Sequence, residues 1–137
     1  MHNIQPKGEF SHRVRSFSDL EMYHKATDLD LAIFRASKSW PKGENFSLID
    51  QIRRSSRSIG ANIAEAWAKR HYPAHFTSKL TDADAELQET KHWLHRANAY
   101  GYLSDQDMEL LMNDAQFVGS QIGAMLRTRD RWTVAAH

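Results

Sequence analysis

FTSKLTDADAELQETKHWLHRA, residues 76–97, places Phe76, Leu80, Ala83, Leu87, Thr90, Leu94 and Ala97 at alternating spacings of four and three. At 100° per residue these seven positions share one stripe of a helix, and a 4-3 repeat of this length is the seam of a bundle. Upstream, Leu48, Ile52, Ile59 and Ile63 follow the same heptad logic, as do Met108, Leu111, Ala115, Val118, Ile122 and Met125 downstream. Alternating runs of Val, Ile or Thr, which would signal strands, are scarce.

The punctuation between these stripes marks four helices. The first opens at Ser18, with Glu21 completing a capping box and Phe17 stapling onto Met22, and ends before Pro41. Ser47 and Asp50 open the second, which runs to about Arg70, and Pro73 suits the first turn of the third. Gly101 closes the third, and Ser104 with acidic Asp105 and Asp107 caps the fourth, which continues to about Arg127. Short connections make sequential helices antiparallel neighbours, so the expected fold is all-α, an antiparallel up-down four-helix bundle. Residues 1–16, aperiodic and holding Pro6 and Gly8, read as a mobile arm, 17–130 as the bundle and 131–137 as a fraying tail.

A chain of 137 residues can bury a sizeable core as one domain. With no cysteine it has no disulfide framework or thiolate metal site, which fits a reducing compartment and makes the cytoplasm the expected location. No apolar run approaches the roughly 20 residues of a membrane span, and the opening MHNIQPKGEF lacks the apolar centre of a signal peptide. A net charge of +1 gives no whole-molecule pull toward polyanions or anionic lipid, so any attraction is local.

Helix one carries two stripes on opposite sides. Leu20, Tyr23, Thr27, Leu31 and Phe34 form one, and Met22, Ala26, Leu29, Ile33 and Ala36 the other. A single bundle core cannot bury both, so we assign Met22, Leu29 and Ile33 to a subunit interface. Leu110 and Phe117 on the outer face of helix four join them, with Ala61 and Ala64 in the small-residue outer surface of helix two. The expected partner is therefore the chain itself.

Charge divides between helices. Residues 47–70 hold five basic residues, Arg53, Arg54, Arg57, Lys69 and Arg70, against Asp50 and Glu65, whereas residues 102–126 hold Asp105, Asp107, Glu109 and Asp114 and no Lys or Arg. Guanidinium forks suit phosphate, and Lys7, Arg13 and Arg15 of the arm and Arg127, Arg129 and Arg131 of the tail add to the positive surface. Nucleic acid is thus a candidate partner. The competing expectation is that Asp50 pairs with Arg53 or Arg54 and a neighbour's acidic helix takes the rest. No aromatic residue interleaves with these arginines, the pattern that would favour single-strand stacking.

Two chemical constellations compete with binding. Glu21/His24 and Glu89/His92, with Glu65 and Glu109, match the ligand inventory of a di-iron bundle, but Glu21 and Glu65 lie near one end, Glu89 on the order of 24 Å along helix three from it, and Glu109 at the far end. No metal or cofactor is expected. Arg70-His71-Tyr72-Pro73-Ala74-His75 resembles the Arg-x4-6-His motif of HEPN ribonucleases, which implies Arg70 stabilising phosphorane charge while His75 or His71 exchanges protons with a ribose hydroxyl.

The run Gln51-Ile52-Arg53-Arg54-Ser55-Ser56-Arg57-Ser58-Ile59-Gly60-Ala61-Asn62-Ile63-Ala64-Glu65 resembles the signature of bacterial bundle proteins encoded within intervening sequences of 23S ribosomal RNA genes. Asp19-Leu20 with Tyr23 and Ala26, and Gly101-Tyr102-Leu103-Ser104, agree with it, and the likeness spans roughly 17–127. That family usually has Pro in place of Gly60 and Gly in place of Ala66. The resemblance implies an up-down four-helix bundle closing into a homopentameric ring, related to the accessory variability protein of diversity-generating retroelements. Those relatives bind nucleic acid and a reverse transcriptase through basic surfaces, and the family has no assigned catalytic activity. Carried over, Arg53, Arg54, Arg57, Lys69 and Arg70 become the nucleic-acid contacts; a purely structural partner-binding ring is the alternative.

Overall fold

The computed structural model describes residues 14–134. Four long helices dominate: α1 (Glu21–Ser37), α2 (Leu48–Ala68), α3 (Pro73–Ala99) and α4 (Asp105–Arg127), followed by a single turn, α5 (Arg129–Trp132). The described residues contain no strand, and none of their helices is long and apolar enough to cross a membrane. The expected stripes of α2, α3 and α4 form the core: Ile52, Ile59, Ile63, Phe76, Leu80, Leu87, Leu94, Val118 and Ile122 are essentially solvent-free. Residues 1–13 and 135–137, with Lys7 and Arg13, lie outside the described residues.

α2 and α3 form the closest pair. The ion pair Glu65–Lys79 (2.7 Å) and the buried Ser55–Thr90 hydroxyl contact (2.9 Å) run in opposite order along the two helices, which makes the pair antiparallel. α1 packs on α2 and α4, and α4 closes back on α3.

Helix one departs from expectation in its phase. Met22, Ala26, Leu29 and Ile33 are buried in the core, so Met22, Leu29 and Ile33 are not an external interface. The opposite stripe is only partly exposed, because Tyr23 and Thr27 lie against α2 beside Gly60, where a Cβ would meet Thr27 Cγ2 and the Tyr23 ring at the ordinary contact distances of 3.5 and 3.6 Å. Leu20 is buried, Tyr23 and Phe34 are half-buried, and Leu31 alone of the stripe is open, 42% exposed. The apolar surplus on α1 is therefore smaller than the pattern suggested.

The helix ends also differ in detail. The Ser18–Glu21 capping box does not form; Asp19 instead accepts the backbone N–H groups of Arg15 (2.9 Å) and Ser16 (3.2 Å) in a 3-10 turn over Phe17–Asp19. These bonds hold the Asp19 carboxyl below its ordinary pKa. Phe17 stacks edge-on against Tyr23, at 4.8 Å, and Met22 turns inward. Ser104 caps α4 as expected, accepting the Asp107 N–H at 3.1 Å.

The tail does not fray at its start. Trp132 is buried and meets Trp67 edge-on at 6.0 Å, and the Val134 N–H donates to the Arg70 carbonyl at 2.9 Å. The expected tail boundary at 131 thus falls inside packed structure, because the Trp132 indole is buried against Trp67 and burial of so large an apolar ring favours holding the chain down.

Candidate nucleic-acid interface

The arginines of α2 leave the helix on the side away from Ile52, Ile59 and Ile63, but they do not behave alike. Arg53 is held: its Nε donates to Ser37 Oγ at 2.9 Å, its Nη2 reaches the Phe34 carbonyl at 3.5 Å, and its guanidinium lies 4.7 Å from the Phe34 ring centre. It clamps α2 to the end of α1. Arg57 is exposed, 5.9 Å over the same ring, and Arg54 is exposed with its Nη2 donating to Gln51 Oε1 at 2.6 Å.

The expected Asp50 pairing does not form. Among the described residues the ion pair within 4 Å is Lys79–Glu65, so Arg53, Arg54 and Arg57 have no carboxylate at salt-bridge distance. Asn45, Ile49, Asp50, Arg53, Arg54, Arg57, Ser58 and Ala61 line a depression of about 500 Å³ on this face. Asp30, on α1, is partly buried near Arg57; burial raises its pKa, and the Arg57 charge opposes that rise.

The far end of the basic stretch is different. Lys69 is exposed at the C-terminal cap of α2. Arg70 is spent on structure: its guanidinium lies 3.7 Å over the Trp67 ring, its Nε donates to the Trp67 carbonyl at 2.9 Å, and burial lowers its pKa. His75 is exposed and packs edge-on to Tyr72 at 5.9 Å; none of the described contacts joins it to Arg70. No group of three or more metal-ligating side chains occurs among the described residues.

Of the other expected interface positions, Ala61 and Leu110 are exposed (Leu110 59%), and Ala64 and Phe117 are half-covered, Phe117 by Lys25 with its Nζ 5.7 Å from the ring. Ala32, Ala36, Leu110 and Leu111 floor a shallow groove of about 310 Å³ between α1 and α4, with Asp107 and Asp114 at its edge.

A further concavity lies at the end of the bundle where the connections meet. Glu44, Phe46, Ser47, Leu48, Gln51, Trp93, Tyr100 and Tyr102 line a groove of about 890 Å³. Its construction begins at Gly101, whose φ of +82° closes α3 in a left-handed turn. The Tyr102 N–H bonds to the Ala97 carbonyl and the Gly101 N–H to the Asn98 carbonyl, a Schellman turn that places Tyr100 and Tyr102 on either side. The Asn98 amide braces the loop by donating to the Leu103 carbonyl (3.0 Å) and to Asp105 (2.8 Å).

Tyr102 Oη then donates to Glu44 at 2.9 Å, joining the α3–α4 connection to the α1–α2 connection. Ser47 Oγ donates to the same carboxylate at 2.5 Å, and these two bonds hold the Glu44 pKa down. Trp93 is oriented by its Nε1–H, which donates to Glu89 at 3.0 Å. Phe46 stands at the rim, 97% exposed. These rings come from α3 and two separate connections, so no sequence window shows them together; the left-handed glycine flanked by tyrosines was the available sign.

Comparison with known proteins agrees with the helical reading. The structure resembles the 1.70 Å crystal structure of a protein of unknown function from the S23 ribosomal protein family of Bacteroides thetaiotaomicron VPI-5482. The TM-score is 0.70 and the identity 28%, over 77% of this chain and 95% of that one. No curated protein matches the chain. Residues 18–124, which take in all of α1, α2 and α3 and most of α4, match the family described as 23S rRNA-intervening sequence protein, and the chain belongs to that family.

Proposed function

We propose that this protein is a non-enzymatic, homo-oligomeric bundle of up-and-down topology that binds nucleic acid, RNA or DNA, through the basic face of α2 and works in the cytoplasm. The observation that carries the reading is the pair Arg54 and Arg57, exposed side by side along a concave face with no carboxylate of the described residues at salt-bridge distance. Exposed guanidinium groups on a rigid helix suit phosphate oxygens, and no ordering cost falls on the backbone that carries them.

Assembly rests on the apolar α1–α4 groove, whose acidic edge complements the arginines of another copy. A ring of five, as the family resemblance suggests, repeats a modest cationic patch around one axis and gains avidity without new contact types. The same groove favours the alternative of a purely structural ring, in which the arginines serve only to dock subunits.

The test is a low-salt binding titration with Arg54→Glu/Arg57→Glu. Loss of nearly all RNA and DNA affinity with unchanged helicity is expected. Equal binding by wild type and variant removes this face from the interface, and a loss of assembly in place of binding favours the structural ring.

A further inference from the structure

We propose that the aromatic groove at the end of the bundle receives the unpaired bases of a single-stranded nucleic acid whose phosphates lie on Arg54 and Arg57. The proposal rests on the nucleic-acid reading of α2 and extends it from charge to the form of the polynucleotide.

Position comes first. Gln51 lines the aromatic groove and Arg54 lines the basic depression, and a 2.6 Å hydrogen bond links the two side chains. The connection between α1 and α2 straddles both concavities, giving Glu44, Phe46 and Ser47 to one and Asn45 to the other. The two are therefore one continuous surface, cationic on one side of Arg54 and aromatic on the other.

Chemistry then assigns the halves. The charged residue lining the groove is Glu44, kept ionised by its hydrogen bonds from Ser47 and Tyr102, so a phosphate is repelled from this floor. A base carries no such charge. Phe46, Trp93, Tyr100 and Tyr102 line the groove with aromatic rings, Phe46 the most exposed of them, and Gln51, Ser47 and Glu44 bring polar atoms within reach of a base edge. Base–aromatic stacking tolerates any sequence because every base has a π-face. A duplex keeps those faces inside its own stack and cannot use the groove.

A cationic peptide side chain is the competing occupant, since aromatic rings and a carboxylate also suit a cation. The rims argue against it. Arg54 is bonded to the groove's own Gln51, and the Arg96 guanidinium already lies over Tyr100 at 5.6 Å, so beside the carboxylates Glu89 and Asp50 the rims hold two guanidinium groups that a phosphate-linked base can use and an incoming cation cannot.

The experiment measures binding of labelled 12-mers by fluorescence anisotropy at low salt, using single-stranded RNA, single-stranded DNA and duplexes of matching sequence, to wild type and to Phe46→Ala/Tyr100→Ala. Both side chains are exposed, so the double variant is expected to keep its helicity, and Phe46→Trp serves as the conservative control. Single strands of RNA, DNA or both should bind at least tenfold more tightly than duplex. The double alanine variant should lose at least tenfold of single-strand affinity and none of the duplex affinity, and Phe46→Trp should retain binding.

Equal affinity for single strand and duplex, unaffected by the double variant yet abolished by Arg54→Glu/Arg57→Glu, overturns the stacking site and leaves the basic face standing. Absence of binding to every polynucleotide overturns both. An arginine-rich peptide that binds in a Phe46-dependent manner while oligonucleotides do not would replace the base with a cationic protein partner.

Discussion

Thr90 occupies a seam position where the heptad calls for an apolar side chain, and the structure shows why a hydroxyl is tolerated. Thr90 Oγ1 lies 2.8 Å from the Glu86 carbonyl and 2.9 Å from Ser55 Oγ, and Ser55 Oγ lies 3.3 Å from the Ile52 carbonyl, so both buried hydroxyls are satisfied. Thr90→Val alone should cost about 1 kcal/mol, whereas Ser55→Ala/Thr90→Val should cost less than the two single changes together; urea unfolding of the four proteins measures the coupling. Glu86, one turn earlier on α3, is less well served. Its Oε1 is buried with no hydrogen-bond partner, and burial, with Glu89 nearby, raises its pKa. A carboxyl whose folded pKa is raised destabilises the fold when ionised and stops doing so once pH drops below the ordinary glutamate range. Glu86→Gln should therefore be the more stable protein at neutral pH, with its advantage shrinking to nothing as the solution is acidified; thermal unfolding at several pH values checks the sign. Position 90 was legible as core from spacing alone. The reason for its polarity depends on a residue 35 positions away and was not.

Among the elements, α3 was the easiest to read and α1 the hardest, and the contrast has a physical basis. α3 has one apolar stripe, so its inward face has one solution. α1 has two stripes on opposite sides, and its rotation is decided by what the neighbouring helices leave open. Tyr23 and Thr27 lie against α2 beside Gly60, and α2 runs unbroken through this glycine where the family usually has proline. Adding the methyl group there meets only ordinary contact distances, so Gly60→Ala should stabilise α2 by up to about 1 kcal/mol through helix propensity. A loss of stability in urea unfolding would show that the Tyr23 and Thr27 fit is tighter than these distances imply. The short α5 reverses the expectation of a loose tail. Trp132→Ala removes a buried indole from Trp67 and should cost about 3 kcal/mol in chemical denaturation.

At the scale of the whole molecule, four helices and a shared core were readable because periodicity is a property of each segment by itself. The aromatic groove was not, because it is assembled by the meeting of two connections that sequence order keeps 58 residues apart. Of the candidate site, the arginines were legible by composition, but their division into a clamp (Arg53), an indole-bound strut (Arg70) and two open cations depends on partners from α1 and on the Trp67 ring. Self-association has its own test. Leu110 is 59% exposed beside Ala32 and Ala36, so Leu110→Glu should shift sedimentation toward the single chain without loss of helicity if this groove joins copies. An unchanged sedimentation coefficient would move the interface elsewhere.

The backbone bond from Val134 to Arg70 and the Trp132–Trp67 contact fasten the outgoing chain to the C-terminal end of α2, and the 3-10 turn at Phe17–Asp19 brings the incoming chain to the start of α1. Phe46 and Gln51 lie at the other end of α2, and Tyr100 and Tyr102 beyond the far end of α3, a helix length away. A tether, reporter or fused domain added beyond Trp132 would therefore leave at the pole opposite the groove, and a protein immobilised through that end would present its aromatic pole to the solution.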